Sequence, residues 1–280
     1  AMAARPAAAQ VVFPEGGLDV EQFEAAVPGA GQLSTWGSKG LEPYQYDLGV
    51  SMHYAHRPLR LVPVADGETR TGGTIVPGMI RTELLGRVAL LKWLDVSLAL
   101  PVVATVGKGE IDIGGRTASQ FETIALGDVR LSAGVDLSQL LGKRSLTGDG
   151  FGFGARLGVW LPTGNSDALQ GETGVRVEPR LVADWRDERW YAAVNAGWLV
   201  RGPSKFANIV NDDAFRYSAL VSGPLYGEWL DWLATVQGAL QSAKQTDPLD
   251  ATKSSYNGTN RSSYKCSRRF NHAHHTLSCS

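Results

Sequence analysis

Residues 44–54, YQYDLGVSMHY, alternate strictly between two kinds of side chain. The even positions are aromatic or aliphatic, starting at Tyr44 and ending at Tyr54, while the odd positions are polar or small. A period of two predicts a β-strand with one apolar face. A soluble strand usually has ~5–6 residues, whereas a strand that crosses a bilayer needs ~9–11 and carries aromatic residues at both interfaces. The length and the aromatic ends therefore favour a transmembrane strand.

The same alternation returns in eight further segments along the chain. In each segment one face is mainly apolar and the other carries charged, polar or glycine residues, less cleanly in the last three. A helical period fits none of them as well. The segments are 80–90, 95–103, 128–136, 151–161, 175–185, 190–200, 215–223 and 229–240.

The connections between these nine strands tend to alternate between short and long. Residues 91–94, 186–189 and 224–228 form short turns. The longer connections are 56–79, 104–127, 162–174 and 201–214, and the connection 137–150 is longer than the pattern requires. Short periplasmic turns and long extracellular loops are typical of outer-membrane barrels. We therefore predict an all-β fold, an antiparallel transmembrane β-barrel of about 10–12 strands, in which nine strands need at least one more for closure.

Composition excludes several other classes of protein. The net charge of −1 provides no basic surface for nucleic acid. No run of 18 apolar residues is present, which argues against a transmembrane helix. We interpret residues 1–10 as a signal-peptide remnant or leader, 11–41 as an N-terminal periplasmic segment, 42–252 as the barrel and 253–280 as an irregular tail.

The polar faces of the predicted strands carry charges of both signs in nearly equal number. Such a mixture favours paired side chains that fill a narrow lumen, and arginine pairs well with carboxylates through its planar fork. We therefore expect a plugged or narrowly conducting barrel, and the alternative is a selectivity lining. The predicted lumen charge network consists of Asp47, Arg81, Glu83, Arg87, Asp128, Arg130, Asp136, Arg156, Arg176, Glu178, Arg180, Asp184 and Arg216.

No catalytic residue and no cofactor is predicted. His53 shares a face with Asp47 and Ser51, but any strand with polar lumen residues offers such a set. Residues 148–154, GDGFGFG, lack the Lys-Ser/Thr of a nucleotide-binding loop. Glu178 and Asp184 share a face, which alone does not make them paired glycosidase acids.

The tail from about residue 253 changes to Ser, Arg, His and Cys and has almost no aliphatic residues. A metal site is one interpretation of this tail, since His and thiolate are zinc ligands, but the spacing of its Cys and His residues matches no standard zinc module. A disulfide between Cys266 and Cys279 in an oxidising compartment is a second interpretation, and a disordered tail is a third. The candidate metal ligands are Cys266, His272, His274, His275 and Cys279.

Several stretches resemble the barrel domain of OmpA-type outer-membrane proteins of myxobacteria and their relatives. These stretches are 13–16 (FPEG), 18–23 (LDVEQF), 46–60 (YDLGVSMHYAHRPLR) and 84–101 (LLGRVALLKWLDVSLALP). Residues 161–165 (LPTGN), with Gly171, Glu178 and Pro179, also resemble a strand–loop–strand signature of outer-membrane channels. The resemblance implies a structural envelope protein. Such proteins usually continue into a further strand or two and then a peptidoglycan-binding domain; we recognise neither in this sequence, so cell-wall anchoring is not part of what the resemblance implies.

The function expected from these patterns is a structural or narrow-pore role, with small-solute passage, in the outer membrane of a Gram-negative bacterium. The expected partners are the lipid bilayer and other envelope proteins. The alternative is a surface binding or adhesion module that acts through its extracellular loops, 56–79 and 104–127 above all.

Overall fold

The computed structural model describes residues 23–60, 64–65, 68–69, 74–107, 112–113, 116–117, 124–142, 149–165, 170–206, 209–226, 230–241, 266–271 and 274–279. In chain order the strands are β1 (Gly31–Gln32), β2 (Thr35–Trp36), β3 (Tyr46–Arg60), β4 (Val64–Ala65), β5 (Glu68–Thr69), β6 (Thr74–Leu91), β7 (Leu94–Val106), β8 (Asp112–Ile113), β9 (Arg116–Thr117), β10 (Ile124–Leu126), β11 (Val129–Asp136), β12 (Gly150–Leu161), β13 (Arg176–Arg186), β14 (Tyr191–Leu199), β15 (Ser204–Phe206), β16 (Ile209–Asn211), β17 (Ala214–Tyr226), β18 (Leu230–Gln241), β19 (Cys266–Asn271) and β20 (His274–Cys279). One helix, α1 (Leu137–Leu140), is present in these residues.

Ten strands form a single antiparallel sheet in which each long strand pairs with the next long strand along the chain. The order is β3-β6-β7-β11-β12-β13-β14-β17-β18, and the short strand β10 also pairs with β7. This up-and-down order and the strand number confirm the predicted all-β antiparallel fold. Strands β3 and β18 are the two edges of the sheet in the described part of the chain.

The sheet curls around the first described residues of the chain. One carboxylate oxygen of Glu24 lies 3.5 Å from Arg130 on β11 and 2.9 Å from Arg216 on β17, four strands further along. The hydroxyls of Thr35 and Thr235 on β18 lie 3.5 Å apart. A flat sheet would place β11 and β17, four strands apart, at a distance of ~19 Å, because neighbouring strands are ~4.8 Å apart. Contact with one carboxylate therefore requires a curled sheet with an inner and an outer face.

The outer face is apolar and exposed, as the alternation in residues 44–54 predicts. On β3, Leu48 is 73% exposed and Met52 is 74% exposed, while the odd-numbered residues from Asp47 to Ala55 face inward and are half-buried. The same alternation runs along β7, where Ala99 and Pro101 are buried between exposed neighbours. A period of two in the sequence thus separates the two faces of the sheet.

Aromatic side chains mark both ends of the outer face. At the end with the short turns, the ring centroids of Trp190 and Trp232 lie 6.0 Å apart in an edge-to-face arrangement. At the opposite end, the rings of Trp198 and Phe215 lie 6.4 Å apart. An apolar band between two aromatic girdles is typical of a sheet that crosses a bilayer.

The connections follow the predicted alternation of length. Two residues join β6 to β7, and short turns join β13 to β14 and β17 to β18. The longer connection after β11 contains α1, whose first turn is capped because the carboxylate of Asp136 accepts a hydrogen bond of 2.9 Å from the backbone N–H of Gln139. Asp136, a predicted lumen charge, therefore caps a helix.

The tail predicted as irregular contains the antiparallel pair β19–β20, with Cys266 and Cys279 at paired backbone positions. The tail was predicted to be irregular because it has almost no aliphatic residues. Backbone hydrogen bonds can form a strand pair without such residues. The side chains proposed for a metal site or a disulfide lie outside the described residues. No helix in the described part of the chain has the length and hydropathy needed to cross a membrane.

A charge placed at the middle of the outer face tests whether that face meets lipid. Leu100 lies midway along β7, whereas Leu90 is next to the turn that ends β6. We expect Leu100→Arg to lower the free energy of unfolding in lipid vesicles by about 2–4 kcal/mol and Leu90→Arg by about 0–1 kcal/mol. Denaturant titration measures both values. Equal losses in the two variants would contradict a lipid-facing surface.

Candidate functional site

The inner face carries all thirteen residues of the predicted charge network. Ten of them are buried, while Asp47, Arg180 and Arg216 are half-buried. Glu83 and Glu178 are each only 1% exposed. Burying an ionised side chain costs several kcal/mol unless an opposite charge and hydrogen bonds compensate. The pairing of these residues therefore decides whether the sheet is stable.

Near the short turns, Asp95 on β7 joins Arg87 of the adjacent strand β6 to Arg156 of β12, two strands away on the other side. Its carboxylate accepts a bidentate pair of hydrogen bonds from Arg156, at 3.0 and 3.1 Å, and another from Arg87 at 2.9 Å. Asp47 lies 3.9 Å from Arg87 and is the more distant partner. Asp95 is missing from the predicted network because it is the first residue of the predicted segment 95–103. It was read as the boundary of that segment and not as part of its inward face.

In the middle of the inner face, two carboxylates hold arginines of the same or a nearby strand. Glu178 pairs with Arg180 at 2.7 Å on its own strand and with Arg216 at 3.1 Å on β17. Glu83 pairs with Arg81 at 2.9 Å on β6. Residues two apart on a strand share a face, and the alternation predicted this shared face.

Near the long connections, Asp128 and Glu172 form a third cluster. Asp128 accepts a hydrogen bond from Arg176 at 2.9 Å and one each from the backbone N–H groups of Gly164 and Glu172, both at 3.0 Å. Glu172 pairs with Arg201 at 2.9 Å. Sequence periodicity missed Glu172 and Arg201 because both lie in connections, outside the alternating segments.

The inner segment, residues 23–39, lies against the inner face of the sheet. The sequence predicted residues 11–41 as a periplasmic segment, and this location inside the curl was not foreseen. Ala25, Ala26, Val27, Ala30 and Trp36 of the segment form an apolar cluster with Leu85, Ala99 and Val182 of the wall. Burial of this apolar surface stabilises the segment in its place.

Polar groups of the wall bind the backbone of the inner segment. The side-chain amide of Asn195 accepts a hydrogen bond of 2.7 Å from the N–H of Trp36 and donates one of 2.8 Å to its carbonyl. Asp184 accepts hydrogen bonds from the N–H of Ser38, at 3.1 Å, and from its hydroxyl. Arg87 donates to the carbonyl of Lys39 at 2.8 Å. These contacts satisfy buried backbone groups that no strand of the main sheet pairs.

Glycine is required where the segment passes closest to the wall. Gly29 has a φ of +73°, and a Cβ atom built there would lie 2.1 Å from a carboxylate oxygen of Asp47. An L-residue at this position is strained by its backbone angle and by this collision. The close approach thus depends on a residue without a side chain.

The side chain of Trp36 contacts two guanidinium groups of the wall. The guanidinium carbon of Arg156 is 4.2 Å from its ring centroid, and that of Arg130 is 5.4 Å away. Cations over an indole face are attracted by its π electrons. Next to the ring is a cavity of about 10 Å³, lined also by Trp160 and Arg180, with room for about one water molecule.

Glu24 is the charged anchor of the inner segment. Burial by itself raises the pKa of its carboxyl, but the guanidinium groups of Arg216 and Arg130 outweigh burial and lower the pKa from 4.5 to about 2. The carboxylate is therefore ionised at neutral pH. It supplies a negative charge to a wall whose predicted network had seven arginines and six carboxylates.

Other candidate residues from the sequence have structural roles in the described part of the chain. His53 packs edge-to-face against Phe23 of the inner segment, with ring centroids 4.6 Å apart. Glu178 and Asp184 hold arginines and the backbone of the segment, respectively. Among the described residues no group of three or more His, Cys, Asp or Glu side chains is arranged to hold a metal ion.

Comparison with known proteins gives a family and a distant structural likeness. The crystal structure of the COG4313 outer membrane channel from Pseudomonas putida F1 has 14% sequence identity and a TM-score of 0.45, over 75% of this chain and 78% of that one. The search of curated proteins finds no match. The family found is not the OmpA-type family whose resemblance was noted in the sequence. Residues 71–257, more than half of the chain, match the family described as "Putative MetA-pathway of phenol degradation", and the chain belongs to this family.

Proposed function

We propose that this chain is a non-enzymatic β-barrel of the Gram-negative outer membrane that gives small solutes a narrow route, constricted by the inner segment. The observation that carries this proposal is the reversed polarity of the sheet. Its outer face exposes large apolar side chains such as Leu48 and Met52, while charged residues such as Glu83 and Glu178 are buried inside. In water this arrangement would be unfavourable, whereas in a bilayer it meets the requirement for an apolar exterior.

The lipid bilayer is therefore the proposed partner of the outer face. Only helices and closed barrels satisfy all backbone groups within lipid. The curled antiparallel sheet and its two aromatic girdles support the second class, with closure still required between the edges β3 and β18. On the general plan of such barrels, the short turns face the periplasm and the long connections face outward. The inner segment would then enter the lumen from the periplasmic side, where Lys39 contacts Arg87 near the first short turn.

The family description bears on the solute. It names phenol degradation, which requires entry of small aromatic compounds into the cell. We therefore propose small aromatic molecules as the solutes of this route. Phenol itself is smaller than the indole of Trp36, so displacement of this one side chain would make room for it.

The inner segment is proposed as a movable constriction because side-chain hydrogen bonds, ion pairs and apolar packing hold it. Strands β1 and β2 of the segment pair with each other and not with the main sheet. Release of the segment therefore needs no break in the backbone pairing of the wall.

The adhesion alternative rests on connections 56–79 and 104–127, of which large parts lie outside the described residues. Adhesion through these connections stays a hypothesis from the sequence. The specific resemblance to OmpA-type proteins of myxobacteria also stays a hypothesis.

Removing the charge of Glu24 is expected to open the route. Glu24→Gln keeps the shape of the side chain but weakens its contacts with Arg130 and Arg216. Each charged hydrogen bond is worth about 1.5–3 kcal/mol, so we expect the mean conductance in planar bilayers at neutral pH to rise roughly tenfold. Glu188→Gln, in the exposed turn after β13, is the matched control. If Glu24→Gln conducts like the control while both show heat-modifiable migration on gels, the segment is not the constriction.

A reversible crosslink is expected to fix the segment in place. The hydroxyls of Thr35 and Thr235 lie 3.5 Å apart, so cysteines at both positions are close enough to be joined. In a background with Glu24→Gln, Cys266→Ser and Cys279→Ser, we expect oxidation of the pair to lower the conductance and dithiothreitol to restore it. The variant with only Thr235→Cys should respond to neither reagent. Unchanged current after complete crosslinking would refute a moving segment.

Acid is expected to loosen the segment through Glu24. Because the pKa of Glu24 in place is lowered to about 2 from an ordinary 4.5, its contribution to binding is complete above pH 4.5 and is lost as the pH falls through 2. We expect wild-type conductance to be constant between pH 7 and 5 and to rise between pH 4.5 and 2. Glu24→Gln should lack this component, and identical pH profiles of the two proteins would contradict the assignment.

A further inference from the structure

Arg130 is a residue of the wall whose contacts come from the inner segment. It is 4% exposed and stands on β11. Its guanidinium donates to the carboxylate of Glu24 at 3.5 Å and to the carbonyl of Ala25, and it lies over the ring of Trp36. In the described part of the chain, these three residues supply every hydrogen bond, ion pair and ring contact of its side chain. When the segment leaves, Arg130 keeps the electrostatic attraction of Glu83 on β6 but loses the carboxylate that accepts its hydrogen bond, so its guanidinium can bind another anion.

A second arginine converges on the same carboxylate oxygen. Arg216, four strands away on β17, lies 2.9 Å from the Oε2 atom of Glu24, the atom that Arg130 also contacts. Arg216 keeps Glu178 at 3.1 Å as a partner within the wall. Two guanidinium groups from opposite sides of the curl thus form a site for one carboxylate, and planar guanidinium forks suit this anion.

An aromatic ring occupies the space beside this carboxylate. The guanidinium groups of Arg130 and Arg156, on the adjacent strands β11 and β12, both lie over the indole of Trp36. The adjoining cavity is lined by Ser132, Gly158 and Trp160 of the wall. When the segment is withdrawn, the volume of the indole is added to this cavity. The space left behind is flat, has guanidinium groups on its walls and adjoins the carboxylate site.

We propose that Arg130 and Arg216 form a carboxylate-binding site on the channel wall, and that small aromatic carboxylates bind there when the inner segment is displaced. Glu24 and Trp36 of the segment occupy the two halves of this site in the closed protein, the anionic half and the aromatic half. The inference rests on the proposed function, because it names the chemical class of solute that the route takes. The inner segment is then an intramolecular competitor of the solute.

Competition predicts the affinities of the variants. A group tethered to the protein acts at a high effective concentration, commonly in the millimolar range, and lowers the apparent affinity of a free ligand for the same site. Weaker binding of the tethered carboxylate of Glu24 therefore raises the apparent affinity of the site for the carboxylate of a free ligand. We expect Glu24→Gln to bind benzoate at least tenfold more tightly than the wild-type chain.

The experiment is isothermal titration of the full chain in detergent micelles with benzoate, acetate and benzyl alcohol as probes. In the Glu24→Gln background, Arg130→Gln is expected to weaken benzoate binding at least tenfold, because a neutral amide replaces a charged, bidentate donor. Arg130→Lys should give an intermediate loss, since it keeps the charge without the planar fork. Arg189→Gln, at an exposed turn position, is the matched control and should bind like the background.

The probes separate the two halves of the site. Acetate should bind at least tenfold more weakly than benzoate, and benzyl alcohol should bind independently of residue 130. Equal benzoate affinity with arginine or glutamine at this position would overturn the carboxylate site, and acetate as tight as benzoate would overturn the aromatic half. Gel migration and circular dichroism verify folding of each variant, and Arg130→Lys provides the comparison if Arg130→Gln does not fold.

Binding in micelles does not require conduction, so the two proposals fail separately. A Glu24→Gln protein that binds benzoate but carries no current in bilayers would refute passage and retain the site. A protein that conducts but binds no benzoate would retain passage and refute the site.

Discussion

Pairing of buried guanidinium groups with carboxylates is the constraint on which the rest of this structure depends. The arginines of the inner face lie buried or half-buried, and each one that is buried without a partner would cost several kcal/mol. The strands supply some partners, as Asp95 does for Arg87 and Arg156. Arg130 is not satisfied in this way, and its partner comes from a part of the chain that precedes the sheet.

The inner segment and the curl of the sheet are therefore interdependent. Glu24 brings β11 and β17 to the same atom, and Asn195 binds the backbone of Trp36 as a neighbouring strand would. The apolar outer face can be left exposed only in a lipid environment, whereas the inner face is stable because its charges neutralise each other in a space that excludes bulk water. Transport through such an interior requires that some of these pairs exchange partners.

The sequence predicted the strands and their faces well, because a period of two is a local property that each segment displays by itself. All thirteen predicted charges, from Asp47 to Arg216, lie on the inner face. The position of the inner segment was not predicted, because Glu24 and Trp36 have no periodic signal and their contacts are remote in sequence. The excess of one arginine in the predicted network was a sign that a carboxylate had been missed, and Asp95 on β7 accounts for it, so the charge count alone did not point to Glu24. Glu172 and Arg201 lacked even this sign, since they lie in connections.

The contact between Glu24 and Arg216 joins residues that are 192 positions apart in the chain. Contacts of such sequence separation form late and slowly, because a long loop must be closed before any stabilisation is gained. The inner segment precedes the main sheet in the chain and is therefore synthesised before it. It must remain solvated and uncommitted until β17 exists, and the polar, glycine-rich character of residues 29–40 suits this delay. The first residues of the described chain are thus among the last to reach their final place during biogenesis.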